Sequence, residues 1–506
     1  MKNKPFKVQS PKQKTQSPNP KAQASNPKAQ SPKPKDQSPN SKVQALKPKA
    51  QSPKPKVQSP KQKTQGLNFK ALVVPILACI LLLLLTIFGS FLYANWTERV
   101  IVGVLLTLIM ACATLYGRRL FKDTKTLILV TVILFIALFS RMLCFDILSP
   151  DYYDCLGPWV EEFRVGGGFQ ALETTTSNYN LLYDYFLALI SYVNVFDMYL
   201  IKLLSVAFDL VLAFALSTVV ISQSKKAALI GFAAVLFWPT FFINSACWGQ
   251  CDSIFTSFCV LSFYFILKGK PKTSVLLAGI AFTFKLQAIF FLPAFIIYLI
   301  ARRVKLWHAA LFPIPYIITS LPALFLGWTP ARIISIYTGQ VGLYNDYLQY
   351  NAASLFSFWP LDAPWQPYAN IGLSLAVLFL LLLFARAFLK REKLSDNTEL
   401  LTAYTAIIAL GLPWLLPAMH ERYFYVAEAF VLLYAALRPK WWFLAPLVLI
   451  GSLGSYVSYI LISTFSADIG VLWLFALIML VALVLAIISV TLFHPTQPMS
   501  APVKRR

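Results

Sequence analysis

The chain has 506 residues, of which 58% are hydrophobic and 13% charged, with a mean hydropathy of +0.63. A composition so apolar excludes an ordinary water-soluble fold and makes a bilayer the expected solvent, as for a multi-pass membrane protein. The formal charge of +24 would suggest a nucleic-acid partner if it covered a folded surface, but residues 1–69 alone hold 16 Lys and one Asp, leaving +9 for the other 437. No nucleic-acid partner is expected.

Residues 1–69 are mostly Lys, Pro, Gln, Ser and Ala, and they repeat: "KVQSPKQKTQ" stands at 7–16 and 56–65, "KAQSPKPK" at 28–35 and 49–56. Such a segment cannot bury enough apolar surface to offset its chain entropy, so it is expected to be a disordered, cytoplasmic tail. Its Lys residues suit anionic lipid headgroups, at about 1 kcal/mol each near the surface. It does not have the form of a signal peptide, because the polar stretch precedes the first apolar run.

From Ala71 onward come apolar runs of the length a helix needs to cross about 30 Å of hydrocarbon. They cover 71–94, 100–116, 126–147, 180–196, 198–221, 227–246, 253–268, 274–301, 307–327, 366–389, 399–418, 424–437, 441–461 and 469–493. In lipid these must be helices, because the backbone has to satisfy itself. Residues 70–493 therefore read as an all-α transmembrane domain, and 494–506 as a short basic cytoplasmic tail. The joints "GRRLFKDTK" (117–125), "ARRVK" (301–305), "LKRE" (389–392) and "RPK" (438–440) read as cytoplasmic. The loops 148–179, 328–365 and 419–423 then face outward. If "SQSKKA" (222–227) and "LKGKPK" (267–272) are cytoplasmic too, 274–301 must be two half-length helices meeting near Lys285, and 180–196 cannot be a simple span. The seven Cys form no CxxC pair and read as packing thiols.

The polar groups that interrupt this pattern are few. In "SPDYYDCLGPWVEEF" (149–163), Trp159, Val160 and Phe163 alternate with Glu161 and Glu162 as in a short interfacial helix. Asp151 and Asp154 precede it, three residues apart. Either can act as a general base if it reaches a reacting hydroxyl, or merely cap a turn and a helix. In "ACWGQCDS" (246–253), Trp248 and Gln250 could contact substrate, while Asp252 could do so or cap the following helix. "FKLQ" (284–287) places Lys285 and Gln287 in an apolar segment, where an ammonium marks a functional site or a buried ion pair. "MHERYFY" (419–425) offers His420 and Arg422 as phosphate donors and Glu421 to orient them, unless it is an interfacial anchor. "YNAASLFSFWP" (350–360), with Asn351, lies in an aromatic loop of the kind that either forms a belt or stacks on sugar rings.

The order of these pieces resembles the GT-C membrane glycosyltransferases, and most of all the bacterial branch related to the GPI mannosyltransferase II family. It rests on the first acidic loop, "WGQCDS", "AGIAFTFKLQAIFFLP", "NAASLFSFWP" and "HERYFY", spread over about residues 70–493. "SNYNLLY" (177–183) departs from the family's DYPP-like pattern, and Leu286 stands where Pro is usual. The resemblance implies a GT-C-like bundle of about 12–14 transmembrane helices with outer-face loops. It further implies inverting transfer of a hexosyl unit, with mannosyl as one candidate, from a polyprenyl-phosphate donor to a glycan, lipid or protein acceptor outside the membrane. On that reading Asp154, with Asp151 as neighbour or substitute, is the base. Lys285, His420 and Arg422 hold the donor phosphate, and Trp248, Gln250, Asp252, Gln287, Asn351 and Glu421 contact substrate. No cofactor is required, although a divalent cation between Asp151 and Asp154 would suit carboxylate oxygen chemistry. A transporter or flippase of lipid-linked sugars is the alternative, with ionisable groups placed near the bilayer midplane instead of at helix ends.

Overall fold

The computed structural model describes residues 70–89, 91–342, 346–360, 363–465 and 470–492. The expected disordered tail 1–69 and the basic end 494–506 lie outside them. The first helices are α1 (Lys70–Phe88), α2 (Trp96–Phe121), α3 (Thr124–Met142), α4 (Gly157–Val165), α5 (Leu181–Ile190), α6 (Asp197–Val220) and α7 (Lys225–Leu236). Then come α8 (Pro239–Phe242), α9 (Asp252–Leu267), α10 (Pro271–Phe284), α11 (Leu292–Ala301), α12 (Ile314–Phe325) and α13 (Pro330–Gly342). The chain continues through α14 (Trp365–Leu389), α15 (Arg391–Ser395), α16 (Thr398–Leu415), α17 (Tyr425–Leu437), α18 (Leu444–Phe465) and α19 (Leu472–Thr491). The one ladder among the described residues is two residues long, β1 (Gln349–Tyr350) parallel to β2 (Met419–His420).

Polar joints start these helices in a consistent way. Asn95 and Glu98 form a reciprocal capping box at α2, while Asp123, Ser224 and Asn397 accept from backbone N–H groups of α3, α7 and α16. Each such cap contributes about 1 kcal/mol. Small hydroxyl residues then join helices: Ser262 on α9 and Ser274 on α10 each donate to the other's carbonyl, at 2.8 and 2.7 Å. Close approach through small residues is how helices pack in lipid, where no hydrophobic force drives them together.

Eight helices among the described residues are long and apolar enough to cross a membrane, or nine if the bent pair Lys225–Leu236 and Pro239–Cys247 counts as one span. The chain has the form of a multi-pass membrane protein. Several expected spans are shorter than the apolar runs suggest, since α5, α9, α10, α11 and α17 have only 10–16 residues. Apolarity alone hides the breaks. The run 274–301 does split into two helices at Lys285, and 180–196 yields only the ten-residue α5.

Ion pairs show which joints share an end of the bundle. Lys225 pairs with Asp123, joining 222–227 to 117–125. Arg303 lies 3.4 Å from Glu392, Arg438 pairs with Glu399 at 2.7 Å, and Lys272 sits 5.1 Å over the Trp307 ring. The basic joint 267–272 therefore lies beside 301–307, as the two-half-helix arrangement requires. The opposite ends of α9, α10, α16 and α17 carry the residues of the candidate site.

Candidate functional site

Lys285 ends α10 with an extended backbone (φ −153°, ψ 137°), and a 3-10 turn, Leu286–Phe290, follows. Pro is not needed for this break. The ammonium donates to Asp252 Oδ1 at 2.7 Å and to Gln250 Oε1 at 3.4 Å. An uncompensated buried ammonium costs several kcal/mol, so the pair with Asp252 outweighs one lost helical turn.

The partner segment is shaped by a π turn, Ile243–Cys247, that follows α8. Gly249 has φ +72°, a left-handed conformation that favours glycine, and a Cβ there would also press on the end of the Met198 side chain at 2.9 Å. The turn folds back on itself: Gln250 N donates to Asn244 O at 2.9 Å, and Asn244 Nδ2 donates to Asp252 Oδ2 at 2.8 Å. Asp252 thus has both oxygens engaged and caps nothing, so of the two roles the sequence leaves open the cap is not the one it takes; it is the first residue of α9, behind Cys251. Trp248 is buried at 3% exposure against Tyr456 and Tyr459, in an aromatic stack and not on an open face.

"HERYFY" is held by the short ladder. Ala418 takes φ +58° and donates through its N–H to Leu348 O, and Asn351, at φ +63°, bridges to His420. Asn351 Oδ1 accepts from Ser458 at 3.4 Å. His420 stacks on Tyr350 with ring centroids 5.1 Å apart. Burial, and then the cations Arg422 and Lys285, hold its imidazole well below the ordinary histidine range. It is therefore neutral near pH 7. Glu421 is fully buried, and burial raises its carboxyl although Arg422 draws it back. Arg422 donates to Glu421 Oε1 at 2.5 Å and lies 3.7 Å from Asp151 Oδ2 and 4.0 Å from Asp252 Oδ2.

The two loop aspartates part company. Asp151 Oδ2 accepts from Gln250 Nε2 at 2.5 Å, and its Oδ1 accepts from Tyr459 at 3.2 Å. Asp154 is exposed and makes no hydrogen bond or ion pair among the described residues. Neither aspartate caps a helix: Asp151 has no side-chain cap bond, and α4 starts behind Leu156. The spacing of three would place them together on an α-helix, but residues 152–156 form a π turn, which shifts the register. Asp151, ranked second from sequence, is the one that joins the cluster. Among the described residues no group of three or more His, Cys, Asp or Glu is set to hold a metal. Glu161 and Glu162 stay outside it as expected, Glu161 pairing with Arg164 and Glu162 accepting from Thr176.

Gln250 is the hub, because its Oε1 also accepts from Tyr179 at 2.9 Å. Lys285 and Arg422 line an open cleft, together with Tyr179, Gln287, Gln340 and Tyr423. Tyr179, Asn244 and Tyr459 are absent from the sequence reading. Tyr179 lies inside "SNYNLLY", the stretch that departs from the family pattern, whereas Asn244 and Tyr459 sit in apolar runs with no local signal. Comparison with protein-family models, with curated proteins and with solved structures finds no match for this chain.

Proposed function

We propose that the chain is a membrane glycosyltransferase of the EC 2.4 class that moves a hexosyl unit from a polyprenyl-phosphate donor to an acceptor hydroxyl, with inversion. The observation that supports it most is the meeting of Asp151, Gln250, Asp252, Lys285 and Arg422, brought from four separate loops to one end of the bundle. The positive-inside rule assigns the basic end to the cytoplasm and so turns this site outward. Asp151 is the general base. As the acceptor oxygen bonds to the anomeric carbon, the carbon–oxygen bond to phosphate breaks, the acceptor proton passes to Asp151, and polyprenyl phosphate leaves against Lys285 and Arg422.

Three carboxylates face two cations here, so an incoming phosphate must exchange places with one of them. Glu421 suits that exchange, since its raised carboxyl can take a proton when Arg422 turns to the phosphate. One observation favours the transporter reading: Arg141 and Asp209 form a fully buried 2.9 Å pair inside α3 and α6. Purified protein in liposomes separates the two. Transfer of label from polyprenyl-phosphoryl hexose, with none from a nucleotide sugar, is expected; movement of the intact donor across the bilayer without bond cleavage would mean a flippase.

A further inference from the structure

The segment that carries Gln250 and Asp252 is tied to the end of α3 on two sides of a pair of thiols. On one side Arg141 Nε donates to Asp209 Oδ2 at 2.9 Å, and Ser245 Oγ donates to the same oxygen at 2.5 Å. On the other, Ser149 Oγ donates to Trp248 O at 3.1 Å. Between these ties stand Cys144 and Cys247, whose sulfurs lie within hydrogen-bond reach of each other. Neither backbone is free to draw its sulfur away. Lys202 Nζ donates to the carbonyls of Cys144, Phe145 and Ile147 at 2.9, 3.0 and 2.5 Å, while Trp248 N and Gly249 N close the π turn onto Ile243 O and Ser245 O at 2.9 and 3.2 Å. Both cysteines are only half-buried, so a small reagent can reach them. The positive-inside rule turns this end of the bundle outward, where disulfides form and persist.

We propose that Cys144 and Cys247 are a site of disulfide formation, and that the bond staples the segment bearing Gln250 and Asp252 to the end of α3. The oxidant is an external disulfide. One protein thiolate attacks it, so that a sulfur–sulfur bond to the protein forms as the external bond breaks and one thiol leaves. The second protein thiolate attacks the mixed disulfide, which forms the Cys144–Cys247 bond and releases the second thiol. Two protein thiols are oxidised, one external disulfide is reduced, and both thiol protons leave on the released thiols. The bond closes a loop of about 100 residues, long enough for a large effect on the unfolded chain. The two sulfurs are far apart in sequence, so no CxxC spacing announces them. The inference holds whatever reaction the site performs.

The full chain in detergent, treated with oxidised glutathione or with dithiothreitol and then blocked with a maleimide, tests this by peptide mass mapping and by melting. After oxidised glutathione the peptides carrying Cys144 and Cys247 should be joined to each other and unlabelled; after dithiothreitol both should be labelled and separate. The oxidised wild type should melt about 5 °C above the reduced protein. Cys144→Ser and Cys247→Ser should each melt at the same temperature under both treatments. The comparison is made within each variant, so one of lower stability still reads it. Labelling of both thiols after oxidation, glutathione adducts without a cross-link, or a cross-link to another cysteine would overturn the pairing. A Cys144–Cys247 bond that leaves melting unchanged, or a redox-dependent melting that survives in Cys144→Ser, would overturn the staple.

Discussion

The two ends of the bundle use the same residue types to opposite effect. At the basic end, Arg303 and Glu392 are 69% and 79% exposed and Lys225 and Asp123 about half exposed, each cation meeting one carboxylate. At the other end, Lys285 and Asp252 are 7% and 2% exposed, and Arg422 lies within 4 Å of three carboxylates. Water screens the first set, and each pair contributes less than about 1 kcal/mol. The second set is mostly buried, so its groups depend on their neighbours and losing one leaves a charge poorly compensated.

The sharpest break of that contrast is Lys285→Met, which strands Asp252. Stability should fall by about 3–5 kcal/mol, and farnesyl phosphate binding should be lost; the double variant with Asp252→Asn should recover much of the stability but not the binding. Denaturation in detergent, followed by intrinsic fluorescence, reads the first effect. His420 gives a pH-dependent test. Its proton affinity in the fold is depressed, so the unfolded chain takes up protons first and the stability due to neutral His420 declines as pH falls below about 6.5. The stability of wild type minus that of His420→Gln should therefore shrink from pH 7.5 to 5.5, by up to about 1.4 kcal/mol per pH unit. A constant difference would mean an imidazole of ordinary basicity.

Ala418 holds a left-handed backbone conformation that a side chain disfavours. Ala418→Gly should raise stability by about 1 kcal/mol without moving the ladder that carries His420. Smallest of all, Arg303→Gln at the opposite end should leave melting temperature and donor binding unchanged within error. A large effect there would erase the distinction between the ends.

Much of the site was legible because its residues break an apolar pattern. Lys285, Asp252 and Arg422 stand out in sequence since a charge beside lipid needs a reason, and the half-helix break at Lys285 follows from the sidedness of the basic joints. The order of the two loop aspartates was not legible. Exposure and a π turn decide it, and neither leaves a mark in a spacing of three residues. Tyr459 was hidden for a related reason: a tyrosine within α18 reads as packing until the fold brings its hydroxyl to Asp151. Helix lengths were overread because Leu, Phe and Ala continue through breaks made by backbone turns.

The assignment of Asp151 as the base is tested most directly by comparing Asp151→Asn with Asp154→Asn in one assay, release of hexose from a polyprenyl-phosphoryl donor to membrane acceptors. Asp151→Asn should fold, bind farnesyl phosphate and transfer about 10²–10⁴-fold more slowly, the usual contribution of a general base, while Asp154→Asn keeps near-normal activity. Full activity in Asp151→Asn with loss in Asp154→Asn would contradict the account.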